Sequence, residues 1–237
     1  MTSVRLFSTV LVLMVFGALT APGTAQDRPY SVSLTGSYTT SSKIFYRPAD
    51  PDEFLRGQFF PLDNIAGIGI DLRRTFPPGT IQIGLSAEIL QRRTTSEIPV
   101  GGVQVPAEDG FIAIPVELTG YFFIPVGTEE FRVFMGGGAG LYLGQRRYAL
   151  GGIPAETTER GAGGGIHVTS GVEWRCSGAL SVRGEIKFRD VQFETTNRFQ
   201  PSTVVYSGTT VTLPGEPFAS RINIDGMRLS AGIAVHF

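Results

Sequence analysis

Eight stretches of this chain alternate side-chain polarity with a period of two, and the links between them are alternately short and long. The stretches run from about Pro29 to Thr40, Ile65 to Thr75, Ile81 to Arg93, Phe111 to Ile124, Phe131 to Arg147, Gly165 to Arg175, Leu180 to Glu194 and Arg221 to Phe237. A period of two sends successive side chains to opposite faces of a strand, whereas a helix repeats its apolar residues every three or four positions. Most stretches reach ten residues, longer than the ~5–6 of a common soluble strand and matching the ~9–11 of a tilted strand that crosses a bilayer. Phe76 to Thr80, Pro125 to Glu130 and Cys176 to Ala179 are tight turns, while Ser41 to Asn64, Thr94 to Gly110, Tyr148 to Gly164 and Thr195 to Ser220 are long links. An antiparallel arrangement therefore collects the short turns and the last strand's end on one rim and the long loops on the other.

Composition removes the main alternatives. With 42% apolar and 17% charged residues the chain is too apolar to stay disordered. Its formal charge of -1 comes without any lysine or arginine tract, which excludes a nucleic-acid partner. Thirty-one glycines and 15 prolines favour strands and turns over long helices. A single cysteine, Cys176, and two histidines, His167 and His236, make no metal-binding pattern, and no cofactor motif is present. Residues 1–25 read as a secretory signal peptide: Arg5 gives a positive start, Val10 to Leu19 is apolar, and Pro22 to Ala25 forms a small-residue cleavage site. The expected mature protein is thus one domain, residues 26–237. It holds no apolar run near the ~18 residues of a membrane helix.

The two faces of the strands differ sharply. Leu180, Val182, Ile186 and Phe188 lie opposite Ser181, Arg183, Glu185, Lys187 and Arg189, and Ile68, Ile70 and Leu72 lie opposite Gly69, Asp71 and Arg73. A lipocalin-like soluble barrel would turn the charged face to water and enclose the oily one, so alternation alone leaves both designs open. Aromatic residues near the strand ends, Tyr38, Phe122, Phe123 and Trp174, favour interface girdles and hence a membrane barrel. The last strand agrees, because Met227, Leu229, Ala231, Ile233, Val235 and Phe237 share one face and end on an aromatic.

That terminal pattern resembles the C-terminal strand of OmpA/OmpX/OmpW-like outer-membrane β-barrels. The resemblance is architectural and spans the whole mature chain. It implies an all-β fold, an eight-stranded antiparallel up-and-down transmembrane barrel in the bacterial outer membrane, monomeric and with both termini in the periplasm. The implied partners are outer-membrane lipid and the barrel-assembly machinery, the latter reading Phe237. The family shares no catalytic motif that could be transferred to this chain.

By parity the lumen receives the acids Asp71, Glu88, Glu117, Glu173 and Glu185 and the bases Arg73, Arg132, Arg175, Arg183, Lys187, Arg189 and Arg228. Eight strands enclose a space that side chains just fill, so these charges are expected to pair into a plug. Gly136, Gly138, Gly140 and Gly144 on one inward face leave open whether a cavity, and with it a narrow solute pore, remains. A third reading is a lipid-modifying hydrolase, since His167 and Thr169 resemble the histidine–serine pair of outer-membrane deacylases. Threonine replaces serine, however, and parity turns both residues into the lumen. His236 reads as a solvated rim residue and Cys176 as an inert turn residue. The sequence therefore favours a non-enzymatic structural or surface-interaction role through the long loops. Phe45, Tyr46, Phe54, Phe59 and Phe60 are the contact candidates for an unidentified surface ligand. Thr203 to Tyr206 and Thr209 to Thr212, around Ser207 and Gly208, read as a hairpin above the membrane.

Deleting Phe237 removes the aromatic end of the last strand. The truncated chain is expected to insert poorly, measured as membrane-fraction level against the full chain; equal levels would separate this residue from assembly.

Overall fold

The computed structural model describes residues 28–100, 102–128, 130–200, 203–206 and 208–237; the expected leader, residues 1–25, and Ser207 of the expected hairpin lie outside them. In chain order the elements are β1 (Tyr30–Phe45), α1 (Glu53–Arg56), β2 (Phe59–Phe76), β3 (Ile81–Val100), β4 (Val103–Gly127), β5 (Phe131–Leu150), β6 (Ile153–Pro154), β7 (Glu156–Glu159), β8 (Gly161–Arg175), β9 (Leu180–Arg198), β10 (Thr203–Tyr206), β11 (Thr209–Thr212), β12 (Phe218–Ile224) and β13 (Met227–His236). Every long strand pairs antiparallel with its neighbours. The ladder runs β2, β3, β4, β5, β8, β9, then β12 and β13 as one interrupted stave, then β1, which closes back onto β2. Eight staves thus close into a ring, the only sheet that satisfies its backbone inside hydrocarbon.

The staves are longer than the alternation predicted, because it continues above the membrane. The segment Thr94 to Gly110, expected as a loop, is almost wholly strand: β3 and β4 stay paired up to Val100 opposite Val103. Gly102, at φ 83, takes the left-handed conformation that this turn needs. The β10–β11 hairpin forms where the sequence placed it, with Thr203 opposite Thr212 and Tyr206 opposite Thr209.

The last stave is broken where the sequence predicts one continuous strand. In β1 the inward residues are Thr39 and then Ser42, so parity flips across Thr40 and Ser41. The pairing shifts by one residue between Thr39 opposite Arg228 and Lys43 opposite Asn223. This bulge separates β12 from β13 at Asp225 and Gly226. A side chain on Gly226 would meet the Ser41 carbonyl oxygen at 2.5 Å. Asn64 in β2, at φ 60, absorbs the same flip between inward Leu62 and Ile65.

Outside, the barrel is oily. On β3 the residues Ile81, Ile83, Leu85 and Ile89 face out, each about half exposed. From Ile81 to Ile89, at ~3.4 Å per residue and a tilt of about 40°, the apolar wall covers roughly 21 Å, close to the ~25 Å band of outer-membrane barrels. Among the described residues no helix is long and apolar enough to cross a membrane; the strands do the crossing. Tyr38, Phe122 and Trp174 lie on this outer surface, and Tyr30 stacks on Phe237 with centroids 6.0 Å apart. Phe123 does not join them. Adjacent strand residues cannot share a face, so with Phe122 outward Phe123 enters the lumen and is 7% exposed.

The inward face of β5 leaves no room for a side chain at Gly136, Gly138, Gly140 or Gly144. A Cβ on Gly138 would sit 1.9 Å from the Leu118 carbonyl oxygen, and one on Gly144 would sit 2.4 Å from the Phe193 ring. At Gly136 and Gly140 the space belongs to the Gly120 carbonyl and the Glu117 side chain. Gly138→Ala is therefore expected to destabilise the barrel by ~1–3 kcal/mol through overpacking. Gly164→Ala, whose Cβ meets nothing within 4 Å, should leave stability unchanged. Urea midpoints of the refolded barrels test the pair, and equal midpoints would refute the packing account.

Candidate functional site in the barrel lumen

The interior is filled in layers. Nearest the short turns, Tyr121, Phe123 and Phe134 form an aromatic floor, with the Tyr121 and Phe123 rings each edge-on to Phe134. The Arg73 guanidinium lies 3.8 Å from the Tyr121 ring centroid, and Arg132 lies 3.4 Å from that of Phe123. These contacts let cations rest on apolar surface.

Above the floor sits the charged layer. Asp71, Glu88, Glu117, Glu173 and Glu185 are buried with Arg73, Arg183, Lys187, Arg189 and Arg228, so five acids face five bases. Arg73 binds Asp71 at 2.7 Å and Glu185 at 3.0 Å. Arg183 binds Glu173 at 2.6 Å, and Lys187 binds Glu117 at 2.6 Å. Glu88 receives Arg228 at 3.0 Å and Arg189 at 3.4 Å, with a further hydrogen bond from Ser37. Two hydroxyls take further guanidinium hydrogens, Arg183 donating to Ser31 and Arg189 to Thr39, both at 2.8 Å, while Arg73 Nη1, Arg183 Nη1 and Arg189 Nε are buried without a hydrogen-bond partner. Of the twelve charges assigned to the lumen by parity, Arg132 and Arg175 stand apart. They are only partly buried at the turn-side mouth, and Arg175 lies 3.7 Å from Glu173. The cavity left inside the network is about 20 Å³, room for one water.

Over the charges lies an apolar layer that sequence reasoning missed. Ile44, Leu62, Ile65, Leu90, Phe111, Tyr142, Val191, Phe193, Ile222 and Ile224 meet in one buried cluster, and Phe60 packs against it. Seven of the eight staves contribute. The eighth, β8, contributes glycines instead: a Cβ on Gly161 would touch the Phe193 ring at 2.5 Å. Tyr142 links the layers by donating its hydroxyl hydrogen to Glu117. Above this, Arg146 grips Asp109 with two bonds of 2.9 and 2.6 Å and donates to Ser220 at 2.7 Å. Tyr148 and Tyr46 lie over its guanidinium at 4.6 and 5.2 Å. Burial, with the Asp109 carboxylate adding to it, pushes the Tyr46 hydroxyl up to about 12. The uppermost layer joins Val105, Leu150, Phe199, Val211 and Leu213 beneath the β10–β11 hairpin. The signal for these upper layers was the alternation of β3 and β4 beyond Arg93 and before Phe111, which a loop reading conceals.

The other singled-out residues are dispersed. His167 is buried with Nε2 2.8 Å from the Thr119 hydroxyl, while Thr169 donates to the Ile186 carbonyl at 3.1 Å, so no histidine activates Thr169. His236 is not a solvated rim residue. It is 4% exposed, with Nε2 2.8 Å from the Ser181 hydroxyl, because its inward parity carries it under the mouth. Cys176 is exposed in its turn. Among the loop aromatics Phe60 turns into the lumen and Tyr46 caps Arg146, while Phe45 packs on Phe59 at 5.5 Å outside. Phe54, on α1, is 76% exposed. Among the described residues no group of three or more His, Cys, Asp or Glu side chains is placed to hold a metal ion.

Ring, oily exterior and filled interior define an eight-stranded antiparallel membrane barrel, the architecture that the resemblance to OmpA/OmpX/OmpW-like proteins implies. No family model and no curated protein matches the sequence. Among solved structures the chain is similar to the outer membrane protein OprG from Pseudomonas aeruginosa (12% identity, TM-score 0.49, 91% of this chain and 99% of that one). It is also similar to Neisserial surface protein A (11%, 0.48, 88% and 97%) and to Ail, the attachment invasion locus protein of Yersinia pestis (11%, 0.47, 89% and 100%).

Glu185 binds Arg73 and lies 3.6 Å from both Lys187 and Arg228. Glu185→Ala leaves three buried cations short of a counter-charge, and it is expected to cost ~3–5 kcal/mol in urea unfolding. Lys43→Ala, which breaks the half-exposed pair with Asp225, should cost at most ~1 kcal/mol. Similar costs for the two would mean that the lumen network does not hold the barrel together.

Proposed function

We propose that this chain is a non-enzymatic outer-membrane protein, exported by its leader and inserted with both termini in the periplasm, whose barrel is a closed anchor for a structured surface cap. The observation that carries this reading is the stacked filling of the lumen. A solute would have to cross an aromatic floor, an ion-pair layer with a residual cavity of about 20 Å³, a buried apolar layer and the Asp109–Arg146 layer. A conduit needs the reverse, a polar lumen that holds water along its length.

The cap supports a contact role. The upper strands, the β10–β11 hairpin and the Phe199 cluster form a second hydrophobic core above the membrane, so the exposed residues there are held on a folded platform. In the β1–β2 link Phe54 is exposed on α1, and Lys43 lies 5.7 Å from the exposed Phe59 ring. Contact residues held on a packed platform bind at a lower ordering cost than mobile loops. The hydrolase reading has no support from geometry, because His167 and Thr169 are buried and serve different partners.

The purified, refolded barrel is expected to give no sustained current in planar bilayers. Steady single-channel currents would replace this reading with the pore. In intact cells, protease should cut within the long-link side alone; cleavage near Pro78 or Gly178 would invert the orientation.

A further inference from the structure

One stretch of the outer wall is not oily and is not fully paired. The ladder between β2 and β3 ends at Ala66 opposite Gln91, where the Asn64 bulge turns β2 away, whereas β3 and β4 stay paired to Val100. Beyond Gln91, β3 therefore has a free edge. A pocket of about 360 Å³ opens at this fork, lined by Asn64, Gln91, Arg92, Arg93, Phe111 and Arg147. Its size lies in the ~300–1,000 Å³ range of small-molecule sites. A second hollow of about 430 Å³ above it shares Arg93 and Arg147. Gly110 is paired with Arg93 on one side and Arg147 on the other, so no side chain stands between the two guanidiniums.

The charge here is not neutralised as it is in the lumen. Among the described residues neither Arg92 nor Arg147 has an acidic group within 4.0 Å, and the Arg92 Nε is buried without a hydrogen-bond partner. Glu108 binds Arg93 at 3.0 Å, and both side chains are about half exposed. Directly below, Ile68, Ile89, Ile114 and Leu143 begin the apolar belt. The three cations thus sit at headgroup height, with room beneath for acyl chains along the wall.

We infer that this fork binds the phosphate monoester headgroup of a membrane lipid, with Arg93 and Arg147 holding the phosphate from the outer face and Arg92 from the strand edge. Arginine suits the task because its planar fork matches phosphate oxygens and keeps its charge at the interface. The lipid is the occupant rather than free phosphate because the site opens onto the apolar wall, where tethered chains add burial that a free ion lacks.

The inference rests on the membrane reading, and its test separates the two. The refolded chain is heated with lipid A bearing both phosphates, with dephosphorylated lipid A, or with inorganic phosphate, and loss of the compact gel form is followed. The two-phosphate lipid is expected to raise the melting temperature, and the other two are not. Arg93→Ala and Arg147→Ala should each weaken apparent affinity by about tenfold. Arg221→Ala, at the Glu194 pair on another wall, should respond as the parent does. Each variant is first shown to form the heat-modifiable barrel; if either alanine variant fails to, the charge-removing Arg147→Gln carries the test. Equal protection by dephosphorylated lipid, by inorganic phosphate, or of the fork variants would overturn the site while leaving the barrel intact. A chain that forms no barrel in any lipid would instead overturn the membrane reading.

Discussion

Inside hydrocarbon a backbone N–H or C=O without a partner costs several kcal/mol, and the closure of β1 onto β2 on one edge and onto β12 and β13 on the other follows from that penalty. Closure leaves each side chain two destinations, lipid or lumen. The four charges at Arg183, Glu185, Lys187 and Arg189 share one face of β9 and must all go inward. Their partners then have to come from other staves, and they do. Arg73 of β2 reaches Glu185 of β9, Lys187 of β9 reaches Glu117 of β4, and Arg228 of β13 reaches Glu88 of β3. These bonds span the interior, so they tie non-adjacent staves in a way the hydrogen-bonded ladders cannot. They also make register costly to change, since a one-residue slip would send the charges of a stave into lipid.

Neutrality sets where the network stops. Five buried acids match five buried bases, and the two surplus arginines, Arg132 and Arg175, lie at the mouth where water still reaches them. Toward the long loops the polar lumen gives way to aliphatic and aromatic side chains, and β8 yields space with glycines so that Phe193 can cross the bore. A lumen sealed by both charge and oil is suited to anchoring. The proposed surface role follows from what stands above the seal, a cap with its own hydrophobic core in place of free loops. At the β2–β3 fork three cations share one acidic partner, Glu108, whereas in the lumen five acids match five bases, and that contrast is the basis for assigning the fork a ligand.

Period-two alternation was legible along every stave, and with it strand number, the order of short and long links, and the inward facing of the charged residues. These follow from local geometry: a strand has two faces, and a membrane accepts one kind of side chain on the outer one. Parity also foretells that Phe122 and Phe123 cannot both join a girdle. The upper strands were less legible. Thr94 to Gly110 alternates too, with Ile98, Val100, Val105 and Ala107 turned inward, but its outer face carries Thr95, Glu97, Gln104 and Glu108 where a spanning strand carries apolar residues, because above the membrane that face does not meet lipid. The fate of individual residues in that region was settled by contacts distant in sequence, such as Asp109 with Arg146 or Phe199 with Phe218.

The sequence by itself determined an eight-stranded barrel and that the charges of its spanning segments enter the lumen, since both depend on spacing along one strand. Only the tertiary structure decided which acid meets which base and that the glycines of β5 lie against carbonyls and rings rather than beside a cavity. It also decided that a bulge at Thr40 and Ser41 splits the last stave and that β2 leaves β3 at a fork of arginines. Each of these depends on stagger and bulges around the closed ring, which set the height at which one strand's residues meet another's and leave no periodic mark in the chain.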